Sequence, residues 1–197
     1  MELILKLKMK VIHLHREEKQ LIEQAVLNNR QAQHQLYTQF SPKMLGVCRQ
    51  YIKDVHHAED VMITAFMKVF TNLNKFEYKG SFEGWIRRIM VHECIDFVRV
   101  KKNIFNYQEI ETVIVSESEN GIEMDTFSVD DIQLLIDSLP DGYRMIFNLY
   151  AIEGYKHHEI AKMLHISEGT SKSQLSHARK MLQNQINLLK QQDNGTK

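Results

Sequence analysis

A long apolar stripe with helical spacing is the feature that most restricts how this chain folds. Its members recur every three or four residues and comprise Ala58, Val61, Met62, Ala65, Phe66, Val69, Phe70 and Leu73. Spacing of this kind is typical of an amphipathic helix with one face against a core. Comparable patterns fill most of the 197 residues, and Pro42 and Pro140 are the only prolines. The sequence therefore predicts an all-α fold.

Four helices are predicted before Lys102. The first is expected from about Glu17 to Phe40. Ser41-Pro42 is expected to start the second, because serine caps helix N-termini and proline suits the first helical turn. Asp54 is predicted to cap the third helix, which carries the long stripe, and Ser81 is predicted to open the fourth.

The helical pattern fails after Lys102. From Glu109 to Asp131 there are eight acidic residues and no basic one, a composition that resists burial in a core. We predict a flexible acidic linker between two small helical domains, an N-terminal helical bundle and a C-terminal helix-turn-helix domain. The predicted ranges are 1–19 for an N-terminal tail, 20–102 for the first domain, 103–128 for the linker, 129–190 for the second domain and 191–197 for a C-terminal tail.

The second domain contains two short helical patterns around a tight connection at His165–Ser167. Ile160, Ala161 and Leu164 form the apolar stripe of the first helix, and Leu175, Ala178, Met181 and Leu182 form that of the second. The other face of the second helix carries groups that bond phosphates or base edges, namely Thr170, Ser171, Lys172, Gln174, His177 and Arg179. This arrangement predicts a helix-turn-helix that inserts its second helix into a major groove.

Charge limits how such a module acts. The chain has 25 Lys+Arg and 25 Asp+Glu, so its formal net charge is zero. Phosphate affinity comes from basic groups, so a neutral chain is unexpected for an autonomous DNA-binding protein. Either DNA is not the partner, or local basic patches act within a larger complex. The helix-turn-helix segment between Lys156 and Leu182 is such a patch, with five basic residues against two acidic ones.

Other classes of protein fit the sequence poorly. Cys48 and Cys94 sit inside helical patterns, which favours buried thiols in a reducing cytoplasm. No apolar run is long enough for membrane insertion. The tail at 1–19 resembles no signal peptide, and a short strand and a true start at Met9 both remain open. His92-Glu93 and His158-Glu159 begin like zinc-protease motifs but lack the second histidine, so no metal, cofactor or catalytic site is predicted.

Three motifs follow one another in a specific order over roughly residues 20–190. They are Ala58-Glu59-Asp60-Val61 with Phe66; Phe76 and Gly80-Ser81-Phe82 with Trp85, Ile86, Ile89, Asp96 and Arg99; and Leu139-Pro140 followed by the helix-turn-helix. In this order they resemble the extracytoplasmic-function (ECF) group of bacterial sigma-70-family sigma factors. The resemblance implies promoter recognition and melting as a subunit of bacterial RNA polymerase in the cytoplasm, without an enzyme activity of the chain's own.

The resemblance also implies three sites. Core-polymerase binding is expected from Asp54, Glu59, Asp60, Met62, Thr64 and Lys68. Minus-ten DNA contacts are expected from Phe76, Tyr78, Lys79, Trp85, Arg88, His92 and Arg99. Minus-thirty-five DNA contacts are expected from Ser167, Glu168, Gly169, Thr170, Lys172, Ser173, Gln174, His177, Arg179 and Lys180. The implied partners are promoter DNA and RNA polymerase core, through the clamp helices of its large subunit and its flap, and the resemblance leaves an anti-sigma factor open.

The residues themselves support this assignment unevenly. Trp85 shares an apolar stripe with Phe82, so a core role is favoured over base stacking. Arg88, His92 and Arg99 lie along one helix edge, where basic side chains follow a DNA backbone or simply face solvent. His92 and His177 stand where the family usually has Asn and Arg, and Ile63-Thr64 where it often has Gln-Glu.

Two alternatives to a sigma factor remain. One is a stand-alone helix-turn-helix regulator with an N-terminal helical partner-binding domain. The other is a helical scaffold or anti-regulator that does not bind DNA. Dependence on the 58–73 helix for polymerase binding separates the sigma factor from the regulator, and dependence on Lys172 and Arg179 excludes the scaffold.

Overall fold

The structure is a computed structural model that describes residues 17–101 and 128–194. The start of the predicted N-terminal tail, nearly all of the predicted linker and the last three residues lie outside this part of the chain. Every regular element in the described ranges is helical, which confirms the all-α prediction. None of the described helices is both long enough and apolar enough to cross a bilayer.

The helices follow in simple order. Helix α1 covers residues 17–26, and the next three are α2 (Arg30–Tyr51), α3 (Val55–Thr71) and α4 (Phe82–Lys101), with a short 3-10 turn at Leu73–Lys75. After the undescribed segment come α5 (Val129–Ser138), α6 (Asp141–Phe147), a π-helical turn (Asn148–Ile152), α7 (His157–Leu164) and α8 (Glu168–Asn194).

Contacts divide the chain into two compact units. Among the described residues, the first unit holds those up to Cys48 together with Asp54–Cys94, and the second holds Arg49–Lys53 together with those from Ile95 onward. Two helical units agree with the predicted two-domain architecture. The individual boundaries at 20–102 and 129–190 stay a prediction.

The long apolar stripe forms the centre of the first unit. Its buried members on α3 are Ala58, Val61, Met62, Ala65, Phe66 and Val69. The core around them also includes Ile22 of α1, Leu36 of α2 and Ile86 of α4. Cys48 and Cys94 carry reduced thiols and are fully buried, as expected for small core residues.

The break between the first two helices does not lie where the sequence predicts it. Helix α2 runs through Pro42 without interruption, and the chain turns instead at Asn28, whose φ is 61°. Asn29 then caps α2, because its side-chain oxygen accepts the backbone N–H groups of Gln31 and Ala32 at 3.0 and 3.2 Å. The prediction that Ser41-Pro42 starts a helix is therefore wrong.

Packing explains why α2 tolerates its proline. A proline inside a helix costs about 3 kcal/mol, because it removes one backbone hydrogen bond and crowds the preceding turn. Phe40 and Met44, on either side of Pro42, are 4% and 1% exposed. Burial of each such side chain contributes about 1.5–3 kcal/mol, which offsets the cost of the proline.

The predicted cap of α3 at Asp54 and the predicted start of α4 at Ser81 are confirmed. Asp54 accepts the backbone N–H of His57 at 2.9 Å, and Ser81 accepts the backbone N–H of Gly84 at 3.1 Å. Hydrogen bonds from the His57 backbone and side chain lower the pKa of Asp54. Both caps satisfy donors that the helix itself leaves unpaired.

The second unit packs α8 against the helices that precede it. Its core cluster consists of Leu135, Leu139, Ala178, Leu182 and Ile186, with Tyr143, Phe147 and Met181 packed against it. Helix α5 begins with a capping box in which Ser128 and Asp131 bond each other's backbone N–H. Leu139 and Pro140 link α5 to α6, as the sequence predicts.

The helix-turn-helix has its predicted connection. Helix α7 ends at Leu164, α8 begins at Glu168, and His165 takes the left-handed conformation with φ 55° and ψ 44°. The Ile166 N–H bonds the Ala161 carbonyl at 3.1 Å, which closes the end of α7. A left-handed residue at this point turns the chain sharply, so that α8 packs across α7.

Candidate nucleic-acid and polymerase interfaces

One face of α8 is exposed and basic. Lys172 and Arg179 are seven residues apart, as are Ser173 and Lys180, so each pair lies on one side of the helix. All four side chains are exposed. Lys172 forms an ion pair with Glu168 at 2.9 Å, and its hydrogen bond lowers the pKa of Glu168. This face can bind phosphates and base edges without rearrangement of the core.

The other flank of α8 is engaged inside the unit. Thr170, Gln174 and His177 are half-buried. The His177 ring stacks on Tyr143 with centroids 5.7 Å apart and an interplanar angle of 18°. The side-chain oxygen of Gln174 is buried and has no hydrogen-bond partner among the described residues. The structure thus separates these three predicted DNA contacts from the exposed basic face.

The N-terminus of α8 is capped by its own residues. The Ser167 hydroxyl accepts the Thr170 N–H at 2.9 Å and lies 2.8 Å from the Thr170 hydroxyl. This cap occupies one of the N–H groups that an anion would otherwise meet at a helix start. Glu168 and Gly169 are exposed beside it.

Two aromatic residues next to α8 were not found by sequence reasoning. The ring of Tyr150, in the π-helical turn, stacks on His157 with centroids 4.5 Å apart. The Arg179 guanidinium lies over the Tyr150 ring, 5.7 Å from its centroid. Tyr150 and His157 are seven residues apart but lie on different helical elements, and the one hint of this in the sequence is Gly154, whose φ of 76° falls between them.

His157 is held from several sides. Its Nδ1 lies 2.9 Å from the hydroxyl of Ser171, which is fully buried. Burial lowers the pKa of His157, and the charges of Lys172 and Arg179 lower it further against the opposing effect of Glu168. His157 is therefore predominantly neutral near pH 7.

In the first unit, aromatic side chains gather where α4 begins. Phe76 is 8% exposed and packs against Phe82 and Trp85, with centroids 5.1 and 5.6 Å from its own. Trp85 is half-buried and stacks on Phe82, in agreement with the core role that the sequence favours. Phe76 serves the same packing, so its face is not open to an unstacked base.

Tyr78 is the aromatic residue that this loop presents to solvent. It is 45% exposed and has a φ of 58°, in the left-handed region, two residues before Gly80. The ammonium group of Lys19 lies over its ring at 5.4 Å, and Lys79 pairs with Glu77 at 2.6 Å. Partial burial and the charge of Glu23 raise the pKa of Tyr78.

The predicted basic edge of α4 is exposed but not free of acids. Arg88, His92 and Arg99 are all exposed. The His92 Nδ1–H donates to the Arg88 carbonyl at 2.6 Å, which leaves Nε2 pointing away from the helix. Arg99 pairs with Asp96 at 2.9 Å. Only part of the positive charge on this edge is therefore uncompensated.

On α3 the structure changes the set of residues that can meet a partner. Met62 is 5% exposed and lies in the core, so its predicted polymerase contact is not available on the surface. Ile63 and Met67, one turn apart, are 48% and 67% exposed. The missed signal was their spacing of four on the side opposite the buried stripe.

Polar groups surround this apolar pair. Asp60 and Thr64 are exposed, and the Thr64 hydroxyl donates to the Asp60 carbonyl at 2.9 Å. Glu59 is half-buried, and its Oε2 lies 3.7 Å from Nδ1 of His56. Lys68 forms an ion pair with Glu93 of α4. An apolar patch with a charged rim is the usual composition of a protein-binding surface.

Comparisons with known proteins cover both units. The Sigma-70 region 2 family model matches residues 36–104, and the Sigma-70, region 4 family model matches residues 130–182. ECF RNA polymerase sigma factor SigW of Bacillus subtilis (strain 168) is 27% identical over 162 residues, 75% of this chain and 84% of that protein. ECF RNA polymerase sigma factor SigE of Mycolicibacterium smegmatis is 28% identical over 156 residues, 77% of this chain and 60% of that protein.

A solved structure is similar over much of the chain. The sigma factor RpoE, in complex with the anti-sigma factor NepR from Bartonella quintana, has a TM-score of 0.49 and 20% sequence identity, covering 78% of this chain and 96% of that one. The two family matches are the stronger finding, because they occur in the order expected from the motifs and together span more than half of the 197 residues. The chain therefore belongs to the ECF group of the sigma-70 family of RNA polymerase sigma factors.

Proposed function

We propose that this sigma factor directs RNA polymerase core to promoters by binding core through α3 and reading the minus-thirty-five element through α8. The observation that carries the proposal is the exposed basic face of α8, formed by Lys172, Ser173, Arg179 and Lys180. A face of this kind suits a major groove, where lysine and arginine bond phosphates and guanine edges. We restrict the proposed minus-thirty-five contacts to these four residues and to Ser167, Glu168 and Gly169 at the start of the helix.

For core binding, we assign the α3 surface made of Asp60, Ile63, Thr64, Met67 and Lys68. The exposed Ile63 and Met67 supply apolar area, and the charged residues around them supply orientation. Asp54 and Glu59 stand at the start of the same helix and extend its acidic rim. The clamp helices of the large polymerase subunit are the proposed counterpart, on the strength of the family membership.

For promoter opening, we assign Tyr78 and Lys79 of the loop together with Arg88 and His92 of α4. Tyr78 offers an exposed ring for an unstacked base, and the basic groups attract the displaced strand. Phe76 and Trp85 would hold this loop in shape by packing beneath it. Since a sigma factor melts DNA without ATP, several such contacts must offset the cost of unpairing.

In the second unit, Leu134 and Leu188 leave large apolar side chains 69% and 58% exposed. Exposed leucines suit a protein contact, and the polymerase flap is the partner that we propose. Since RNA polymerase core is the carrier, we also propose that the protein acts in the bacterial cytoplasm. A stand-alone regulator is not favoured, because the Sigma-70 region 2 match covers residues 36–104.

The neutral net charge has a functional consequence. We expect the isolated chain to bind promoter duplex weakly, because core polymerase supplies most of the nonspecific phosphate contacts. A mobility-shift titration of duplexes selected by the reconstituted holoenzyme tests this. The expected result is specific retention with core and little retention without it. Tight sequence-specific binding by the chain alone would favour the stand-alone regulator.

A further inference from the structure

Tyr150 and His157 lie beside the exposed basic face of α8 without being part of it. His157, the first residue of α7, is 2.9 Å from the buried hydroxyl of Ser171 near the start of α8. Tyr150 stacks on His157 at 4.5 Å and meets the Arg179 guanidinium at 5.7 Å. Ser171 and Arg179 are eight residues apart on the same helix, a rise of about 12 Å. The two rings span this distance alongside α8.

We propose that Tyr150 and His157 are positioning residues that hold Arg179 in place for promoter DNA. The proposal rests on the proposed function of α8 and deepens it. In this arrangement the Ser171 hydroxyl orients the His157 ring. The His157 ring supports one face of the Tyr150 ring, and the Arg179 guanidinium lies over the Tyr150 ring. A guanidinium that is already ordered loses less conformational freedom when it binds a base edge or phosphate.

Lys172 provides the contrast. It lies on the same side of α8 as Arg179, is exposed like Arg179, and pairs with Glu168 rather than with an aromatic ring. An exposed ion pair spaced by four residues restrains a lysine only weakly. The two cations therefore differ in how they are held, and Tyr150 should influence one of them and not the other.

The first test examines the free full-length chain. Tyrosine ring currents shift the resonances of groups above the ring, so NMR should find the Arg179 side-chain signals displaced from random-coil positions. Tyr150→Phe should retain the displacement and Tyr150→Leu should abolish it. The wild-type measurement needs no variant, so it decides even if Tyr150→Leu does not fold. Arg179 signals at random-coil positions would overturn the proposal.

The second test uses the reconstituted holoenzyme and duplexes that it enriches from a randomised library. Tyr150→Leu should weaken binding roughly two- to fivefold, the size expected for loss of one exposed cation–π contact. Tyr150→Phe should bind like wild type. In an Arg179→Ala background Tyr150→Leu should have no further effect, whereas in a Lys172→Ala background its full effect should remain.

The outcomes separate two kinds of failure. If Tyr150→Leu weakens binding equally in the Arg179→Ala and Lys172→Ala backgrounds, Tyr150 acts on general structure and the positioning role is overturned. If Arg179→Ala and Lys172→Ala themselves leave holoenzyme binding unchanged, the proposed function of α8 is wrong. The NMR measurement then still decides whether the stack holds Arg179, because it involves no DNA.

Discussion

Met62 and Ile63 are neighbours in sequence but lie on different faces of α3, with Met62 5% exposed and Ile63 48% exposed. A shift of one position along α3 therefore leads from the core of the first unit to the proposed polymerase-binding surface. Met67 continues that surface one turn further along, at 67% exposed.

Replacing both Ile63 and Met67 with serine should strongly reduce retention on immobilised core polymerase. The thermal stability of the chain should change little, because both side chains are exposed. The matched control is Met62→Ala, which should lower the free energy of unfolding by about 2–5 kcal/mol because it leaves a cavity in the core. Full retention of the double-serine variant would exclude this face as the polymerase contact.

The basic face of α8 should be visible in the salt dependence of promoter binding. Lys172→Ala and Lys180→Ala should each reduce the slope of log K against log salt for the holoenzyme by about one, because each removes a phosphate contact. Fluorescence anisotropy over a salt series measures this slope. An unchanged slope in both variants would mean that neither lysine meets a phosphate.

Gln174→Leu is the control on the opposite flank of α8. The slope of log K against log salt should stay as in wild type, because the Gln174 side-chain oxygen is buried rather than directed to solvent. The free energy of unfolding of the Gln174→Leu variant should be equal to or higher than that of wild type. The substitution removes a buried polar atom that has no partner among the described residues. A large loss of promoter specificity in this variant would show that Gln174 turns outward to read a base.

Substitutions of Tyr78 and Phe76 should have different effects, the first on promoter opening and the second on the stability of the fold. Tyr78→Ala should slow the formation of open complexes and lower the melting temperature less than Phe76→Ala does, because the Tyr78 ring is 45% exposed and the Phe76 ring is 8% exposed. Phe76→Ala should instead lower the free energy of unfolding by about 3–5 kcal/mol, as expected for a buried aromatic residue. Permanganate reactivity of unpaired thymines reports opening, and wild-type reactivity with Tyr78→Ala would contradict the assignment.

The lowered pKa of His157 predicts that acid weakens the fold. The unfolded chain takes up a proton on this residue near pH 6.5, whereas the folded chain does so only at lower pH. In that window the unfolded state binds more protons, so stability falls as pH decreases. Glu168, Lys172 and Arg179 from α8 and the Tyr150 ring surround the imidazole, and the two cations oppose its protonation.

Urea unfolding at about pH 7.5 and about pH 5.5 measures this effect. His157→Gln removes the titrating group, so the variant should lose less stability than wild type over the same interval. The other histidines contribute equally to both proteins and cancel in the comparison. Equal losses would indicate that His157 titrates normally in the folded chain.

Much of the fold was predictable because periodicity reports burial directly. The α3 stripe, the caps at Asp54 and Ser81 and the turn at His165–Ser167 all follow from local patterns, and all are present. The predicted position of the helix break was wrong. Ser41-Pro42 is a strong local signal for a helix start, but the burial of Phe40 and Met44 overrides it. Only the three-dimensional core reveals which of the two effects is larger.

The candidate site was less predictable, because exposure on a helix flank depends on what packs there. Polar residue type groups Gln174 and His177 with Lys172 as DNA contacts, but helical spacing places them on the other side of α8, where both are half-buried. His177 is covered by Tyr143 of a neighbouring helix, and no local pattern announces that contact. Tyr150 was missed for the same reason, since its two partners lie on different elements.

The central claim is that separate surfaces of this chain become promoter-selective when core polymerase carries them. Run-off transcription with purified core on a randomised template library tests it most directly. Defined start sites that appear with wild-type chain, and disappear when Ile63 and Met67 are both replaced by serine, are the predicted result. A chain that fails to associate with core, or that associates and initiates at no preferred position, would contradict the account.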